Sequence, residues 1–187
     1  MIRNLLAAAL VVAPAALMAQ PTPSGFLCCN MRTDGSWISD INYAEGGKRI
    51  VPLGTPVKVT GYGRFRVRVE LGDGSKQAIG NDYSRDLEMG KFMERYVVAE
   101  DPKLKLAKYP EKIRKAIESA RVMPGMTREQ VFMAVGYPVS SENPNLEAKV
   151  LRFWLSSFAE FQLLFNDRGV VTEVTTDPQT RNLVVME

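Results

Sequence analysis

The chain has 187 residues, 24 of them basic and 21 acidic, with no histidine and a net charge of +3. So small a positive excess argues against the electrostatic footprint of a nucleic-acid binder, and the missing histidine removes the usual general base near neutral pH and the commonest metal ligand. Hydrophobic residues make up 45% of the chain, enough for one or two small folded domains.

Residues 1–4 carry one positive charge, and residues 5–17 are apolar and uncharged, interrupted by Pro14. Ala19 then precedes a polar, proline-rich stretch. This is the layout of a secretory signal peptide cut after Ala19. The apolar run is shorter than the roughly 20 residues of a membrane span, and its proline disfavours a continuous helix. Leu27 in front of Cys28, together with polar residues 20–25, argues against a lipidated cysteine. The mature chain is therefore expected to be exported to the periplasm, soluble or held at the outer membrane by protein contacts. Cys28 and Cys29 are adjacent. A bond between neighbours staples no distant segments and demands an uncommon geometry, so no structural intrachain disulfide is expected. Two buried thiols or a cross-link to another chain are the alternatives.

After a flexible lead-in at residues 20–25, residues 26–100 read as a module of short strands. Trp37, Ile38, Ile41 and Tyr43 are strand formers, Gly46-Gly47 marks a turn, and Pro52 and Pro56 forbid a regular helix. Val57-Lys58-Val59-Thr60 alternates, and Gly61-Tyr62-Gly63 is read as its break. In residues 64–71 charged and apolar residues alternate strictly, which puts Phe65, Val67, Val69 and Leu71 on one face and Arg64, Arg66 and Arg68 on the other. Asp73-Gly74 turns the chain, and residues 76–79 return as the partner strand. Residues 84–90 and 92–98 close this half as extended segments.

Residues 101–108 read as a basic linker, and residues 109–187 as a second module. Pro110 suits the first position of a helix, along which Ile113, Ala116, Ile117 and Ala120 recur at helical spacing. Thr127 and Gln130 form a capping-box pattern for a second helix, and Gly136 with Pro138 stops it. Three strands follow at residues 149–155, 160–166 and 170–176, with Leu183-Val184-Val185 as a further one.

The words Pro124-Gly125-Met126-Thr127-Arg128-Glu129-Gln130-Val131 and Val135-Gly136-Tyr137-Pro138, followed by Phe153-Trp154-Leu155 and by 166–174, resemble the BamE (SmpA/OmlA) family over residues 109–176. The resemblance implies two helices on a three-stranded antiparallel sheet, and a noncatalytic role in outer-membrane assembly or maintenance through protein contacts. The family's lipidated cysteine has no counterpart here. The phrase 51–59 and the Asp73-Gly74 hairpin loosely resemble bacterial SH3-like barrels. The fold class is thus α+β, a small β-barrel-like module followed by a BamE-like one.

No catalytic, cofactor or metal site is legible. Ser140-Ser141 and Ser156-Ser157 have no base of the usual type, and Asp82 and Asp86 read as surface carboxylates. Two adjacent cysteines lack the further ligands a tetrahedral zinc needs. The candidate binding residues are Arg64, Arg66 and Arg68, a row spaced at about 6–7 Å whose guanidinium forks suit phosphate, lipid headgroups or carboxylates. The alternative is a solvated face balanced by neighbours such as Glu70. Lys103, Lys105, Lys108, Lys112, Arg114 and Lys115 are more scattered and read as solubilising. The leading expectation is an envelope protein that binds a protein partner. Next come a binder of an anionic envelope polymer or lipid through the arginine strand, and an enzyme-inhibitor-like protein. Neither a cofactor nor a nucleic acid is expected.

Overall fold

A computed structural model describes residues 23–187. The expected signal peptide and residues 20–22 lie outside the described residues. The architecture is α+β. Eight strands form one open sheet: β1 (Ser24–Leu27), β2 (Met31–Thr33), β3 (Trp37–Ser39), β4 (Arg49–Val51), β5 (Pro56–Gly63), β6 (Arg66–Leu71), β7 (Lys76–Gly80) and β8 (Val97–Val98). Their spatial order is β4-β2-β3-β7-β6-β5-β1-β8, so the sheet is a half-barrel with β4 and β8 as its edges. All its pairings are antiparallel except β3 with β7.

Five local expectations are corrected. Gly61-Tyr62-Gly63 is no break. It continues β5 past an irregularity in register, and the hairpin turns at Arg64 and Phe65. Two glycines without a competing turn former do not end a strand that has a long partner to pair with. The chain from residue 89 is helix α1 (Met89–Tyr96), because Phe92, Met93 and Tyr96 share one helical face and are all buried. The supposed linker contains the short helix α2 (Lys103–Leu106), tied down by buried Leu106. The tail is helix α5 (Pro178–Val184) rather than a strand. Asp177 accepts hydrogen bonds from the Gln179 and Thr180 amides, and Pro178 is preset for the first turn. The supposed lead-in also contributes Ser24 and Gly25 to β1.

The second half comprises α3 (Glu111–Glu118), α4 (Arg128–Val135) and an antiparallel sheet of β9 (Val150–Ser156), β10 (Ala159–Phe165) and β11 (Val171–Thr175), in the order β11-β10-β9. The capping box is present: the Thr127 hydroxyl accepts from the Gln130 amide, and the Gln130 side chain accepts from the Thr127 amide. Thr127→Ala is expected to lower stability by about 1 kcal/mol. A change in the urea midpoint worth less than a few tenths would show that the box adds nothing. Arg128, next in the chain, stacks on Phe165 at 4.0 Å and donates to the carbonyls of Leu146, Glu147 and Ala148, pinning the loop that leads into β9.

The buried apolar residues fall into two clusters. One fills the half-barrel around Leu27, Met31, Val59, Val67 and Phe92, and the other lies between the second sheet and its helices around Ile117, Met126, Val131, Leu151 and Leu163. The seam between them is polar. A helix leaves its last four carbonyls without intrahelical partners. For α4 these carbonyls receive Gly136 N (to Phe132), Asn30 N (to Met133), Asn30 Nδ2 (to Ala134) and Asn42 Nδ2 (to Val135). The front half therefore caps the second helix of the back half.

Cys28 and Cys29 lie at this seam, bonded to each other with an S–S distance of 2.02 Å. This corrects the expectation of no intrachain disulfide. Both are buried, Cys29 at 1% exposure, and since they are the chain's two cysteines no thiol is left free.

Candidate functional site

The β5–β6–β7–β3 part of the sheet has one face in the front core and one in solvent. Val67, Val69 and Leu71 point inward, while Arg66 and Arg68 stand outward on β6 and are exposed. Arg64 does not extend the row along the strand. It sits in the β5–β6 turn, also exposed. Phe65 belongs to the same turn and not to the core. The Arg64 and Arg85 guanidiniums lie 5.1 and 4.7 Å from the centre of its ring.

Strand register sets the neighbours. Arg66 lies between Gly63 and Gly80, and Arg68 between Gly61 and Ala78. The small flanking residues let the arginine side chains lie down on the sheet, Arg66 over Gly63 and Arg68 over Gly61. On β3, Trp37 pairs with Ala78, and its ring covers Gly80. A Cβ added at Gly80 would fall 2.1 Å from the Trp37 Cζ2. The Arg66 guanidinium rests over the Trp37 ring at 5.2 Å. Trp37 Nε1 and the Ser39 hydroxyl both donate to the Asp82 carboxylate, at 3.0 and 2.6 Å, which fixes the indole. Arg68 donates through one nitrogen to the Tyr62 carbonyl at 2.9 Å.

The loop that carries Asp82 and Arg85 is anchored by Asp40, a buried carboxylate that accepts the amides of Asp82, Tyr83 and Ser84. Burial pushes the Asp40 carboxyl above the ordinary aspartate value, opposed by its hydrogen bonds from Ser84, Tyr83 and Asp82. Glu70, which the sequence offers as the balancing charge, lies across from Lys58 and Lys76. Among the described residues, none of Arg64, Arg66, Arg68 or Arg85 is in an ion pair. Sequence reasoning found the arginine row but missed Trp37, Arg85 and Asp82. The available signal was the run of small residues at 61, 63, 78 and 80, over which large side chains can lie flat.

A second surface lies on the back half. Leu151, Phe153, Phe161, Leu163 and Phe165 face the helices, with Phe153 stacked on Phe161 at 5.3 Å. The opposite face of the sheet is uncovered. Register places Val150 beside Leu164 and Arg152 beside Gln162. Arg152 pairs with Glu160 at 3.4 Å, and Trp154 Nε1 donates to Glu142. At the tip of the β9–β10 hairpin Phe158 is 98% exposed, and Val150 is 46% exposed.

An open cleft of about 1110 Å³ runs along the seam, with Cys28, Cys29, Phe132, Met133 and Tyr137 among its walls. Its rim mixes Lys105, Lys108 and Arg168 with Glu100, Glu129 and Glu147, so it favours neither sign of charge. Among the described residues no group of histidine, cysteine, aspartate and glutamate is placed to hold a metal ion. No helix among them is long and apolar enough to cross a membrane. No protein-family model, curated protein or solved structure matches the chain.

Proposed function

We propose that the protein is a noncatalytic, exported cell-envelope protein that holds a protein partner against the open face of its C-terminal sheet. The observation that carries this is the uncovered β9–β10–β11 face, where Val150, Leu164 and Trp154 lie among hydrogen-bonding side chains with fully exposed Phe158 at the corner. Large apolar and aromatic groups set in a polar surround are the composition of a protein interface, and an exposed phenylalanine has no solvent-side role in folding. The residues that resemble the BamE family, 124–131, 135–138 and 153–155, support a place in outer-membrane assembly or maintenance. The front half-barrel, read as SH3-like, is then a second module beside the docking one.

The test is site-specific photo-cross-linking in intact envelopes, with the cross-linking amino acid in place of Leu164 or, as a control, of exposed Lys112 on α3. A single defined protein adduct from position 164 alone, lost on Val150→Lys, is the expected result. An adduct that is an integral outer-membrane assembly component supports the finer reading. A stable complex with one enzyme whose activity falls supports an inhibitor instead. The same diffuse products from both positions sink the docking face.

A further inference from the structure

We propose that the Trp37–Arg66–Arg68 patch, extended by Arg64, Phe65 and Arg85, is a binding site for an anionic polysaccharide. This goes beyond the protein-docking role and uses a different half of the molecule.

A surface that only needs charge for solubility leaves its long side chains free, because immobilising an arginine costs roughly 0.5–1.5 kcal/mol in rotamer freedom. Here all four guanidiniums are held. Arg66 rests on Trp37, Arg64 and Arg85 rest on Phe65, and Arg68 is tied to a backbone carbonyl. What holds them is aromatic or neutral, so their positive charge is ordered without being neutralised by a carboxylate. Asp82 serves the same end indirectly. It fixes the Trp37 ring through Nε1, and the ring positions Arg66. Ordered, unpaired guanidinium forks suit carboxylate, phosphate or sulfate groups and lose little further entropy on meeting them.

The shape selects among anionic ligands. Arg66 and Arg68 are about 6–7 Å apart along β6, so they meet successive anionic groups on one chain rather than two oxygens of one group. Arg66 and Arg68 lie over Gly63 and Gly61 and the Trp37 ring over Gly80, so the guanidiniums themselves form the surface a chain would cross. A bilayer would need apolar side chains free to insert, and here the Trp37 ring is covered by Arg66 and the Phe65 ring by Arg64 and Arg85. Single-stranded nucleic acid would need open aromatic faces for its bases, whereas the Trp37 ring lies between Gly80 and Arg66 and the Phe65 ring is taken by Arg64 and Arg85. An anionic polysaccharide needs only the row of fixed cations.

The test is fluorescence anisotropy of fluorescein-labelled dextran sulfate with the full mature chain, neutral dextran serving as the uncharged probe. Binding that weakens as sodium chloride rises is expected, with none to neutral dextran. The double variant Arg66→Glu/Arg68→Glu should bind at least about tenfold more weakly, as charge-assisted contacts become repulsive. Lys112→Glu/Lys115→Glu makes the same change in net charge on α3 and should stay within about twofold of the parent. Circular dichroism checks that both variants fold. Equal losses in the two variants would show that only net charge matters, and the site would be abandoned. It would also be abandoned if the arginine variant bound normally, or if phosphatidylglycerol vesicles or a single-stranded oligonucleotide displaced the probe at lower anion concentration than unlabelled dextran sulfate.

Discussion

Asn30→Leu is expected to destabilise the protein by about 2–6 kcal/mol, a large part of the roughly 5–15 kcal/mol that holds a typical domain folded. Asn30 is 2% exposed. Its side-chain amide donates to the carbonyls of Ile117 in α3 and Ala134 in α4, at 2.5 and 3.3 Å, and its oxygen accepts the Leu53 amide at 3.0 Å. Leucine has nearly the same volume and none of these groups. It would leave the Ala134 carbonyl and the Leu53 amide without partners, at about 1–3 kcal/mol each, while the Ile117 carbonyl keeps the Ala120 amide. Urea denaturation followed by circular dichroism measures the change. The variant should also lose the coupling of the two halves, because one side chain joins both helices to the segment that follows β4. A loss below about 1 kcal/mol would mean that water reaches these groups and takes the place of the Asn30 side chain.

The fold was legible where a local pattern carries its own cause. Thr127 and Gln130 announce a helix start because the cap is made by residues three apart, and Asp73-Gly74 announces a hairpin because the turn needs that glycine. Alternation along residues 66–71 gave both the strand and the face on which Arg66 and Arg68 stand. The misses share a different origin. Residues 92–98 were read as extended although Phe92, Met93 and Tyr96 have helical spacing, since Tyr96, Val97 and Val98 are also strand formers. Which pattern prevails depends on a core lying under one helical face. The tail was read from Leu183-Val184-Val185, and the stronger signal was Asp177-Pro178 before it.

Asn30 and Asn42 carried no local signal at all. Asparagine is ordinarily a turn residue, and its role here comes from the α4 carbonyls that it meets across the seam, those of Ala134 and Val135 respectively. The candidate site divides in the same way. Its arginines are periodic in sequence, while Trp37, Asp82 and Arg85 reach it from β3 and the loop after β7, through tertiary contacts that one sequence cannot display.

Gly80→Ala tests whether those tertiary contacts organise the site. The added carbon would lie 2.1 Å from Trp37 Cζ2, 2.5 Å from Cε2 and 2.8 Å from Nε1, and a stiff indole cannot bend away at its far end. The β7 backbone cannot retreat either, since Gly80 is registered against Arg66 on one side and Ser39 on the other and its carbonyl accepts the Asp40 amide. The ring must therefore swing off the sheet, giving up its hydrogen bond to Asp82 and the platform under Arg66. Overpacking of this kind costs about 1–3 kcal/mol, which a shifted urea midpoint would show, and the emission of Trp37 should move to the red as it meets water while Trp154 stays in place. Net charge and all four arginines are unchanged. If ordered guanidiniums make the site, dextran sulfate should bind several-fold more weakly to the folded variant. If affinity holds while the emission shifts, Trp37 fills space over Gly80 and does not position Arg66.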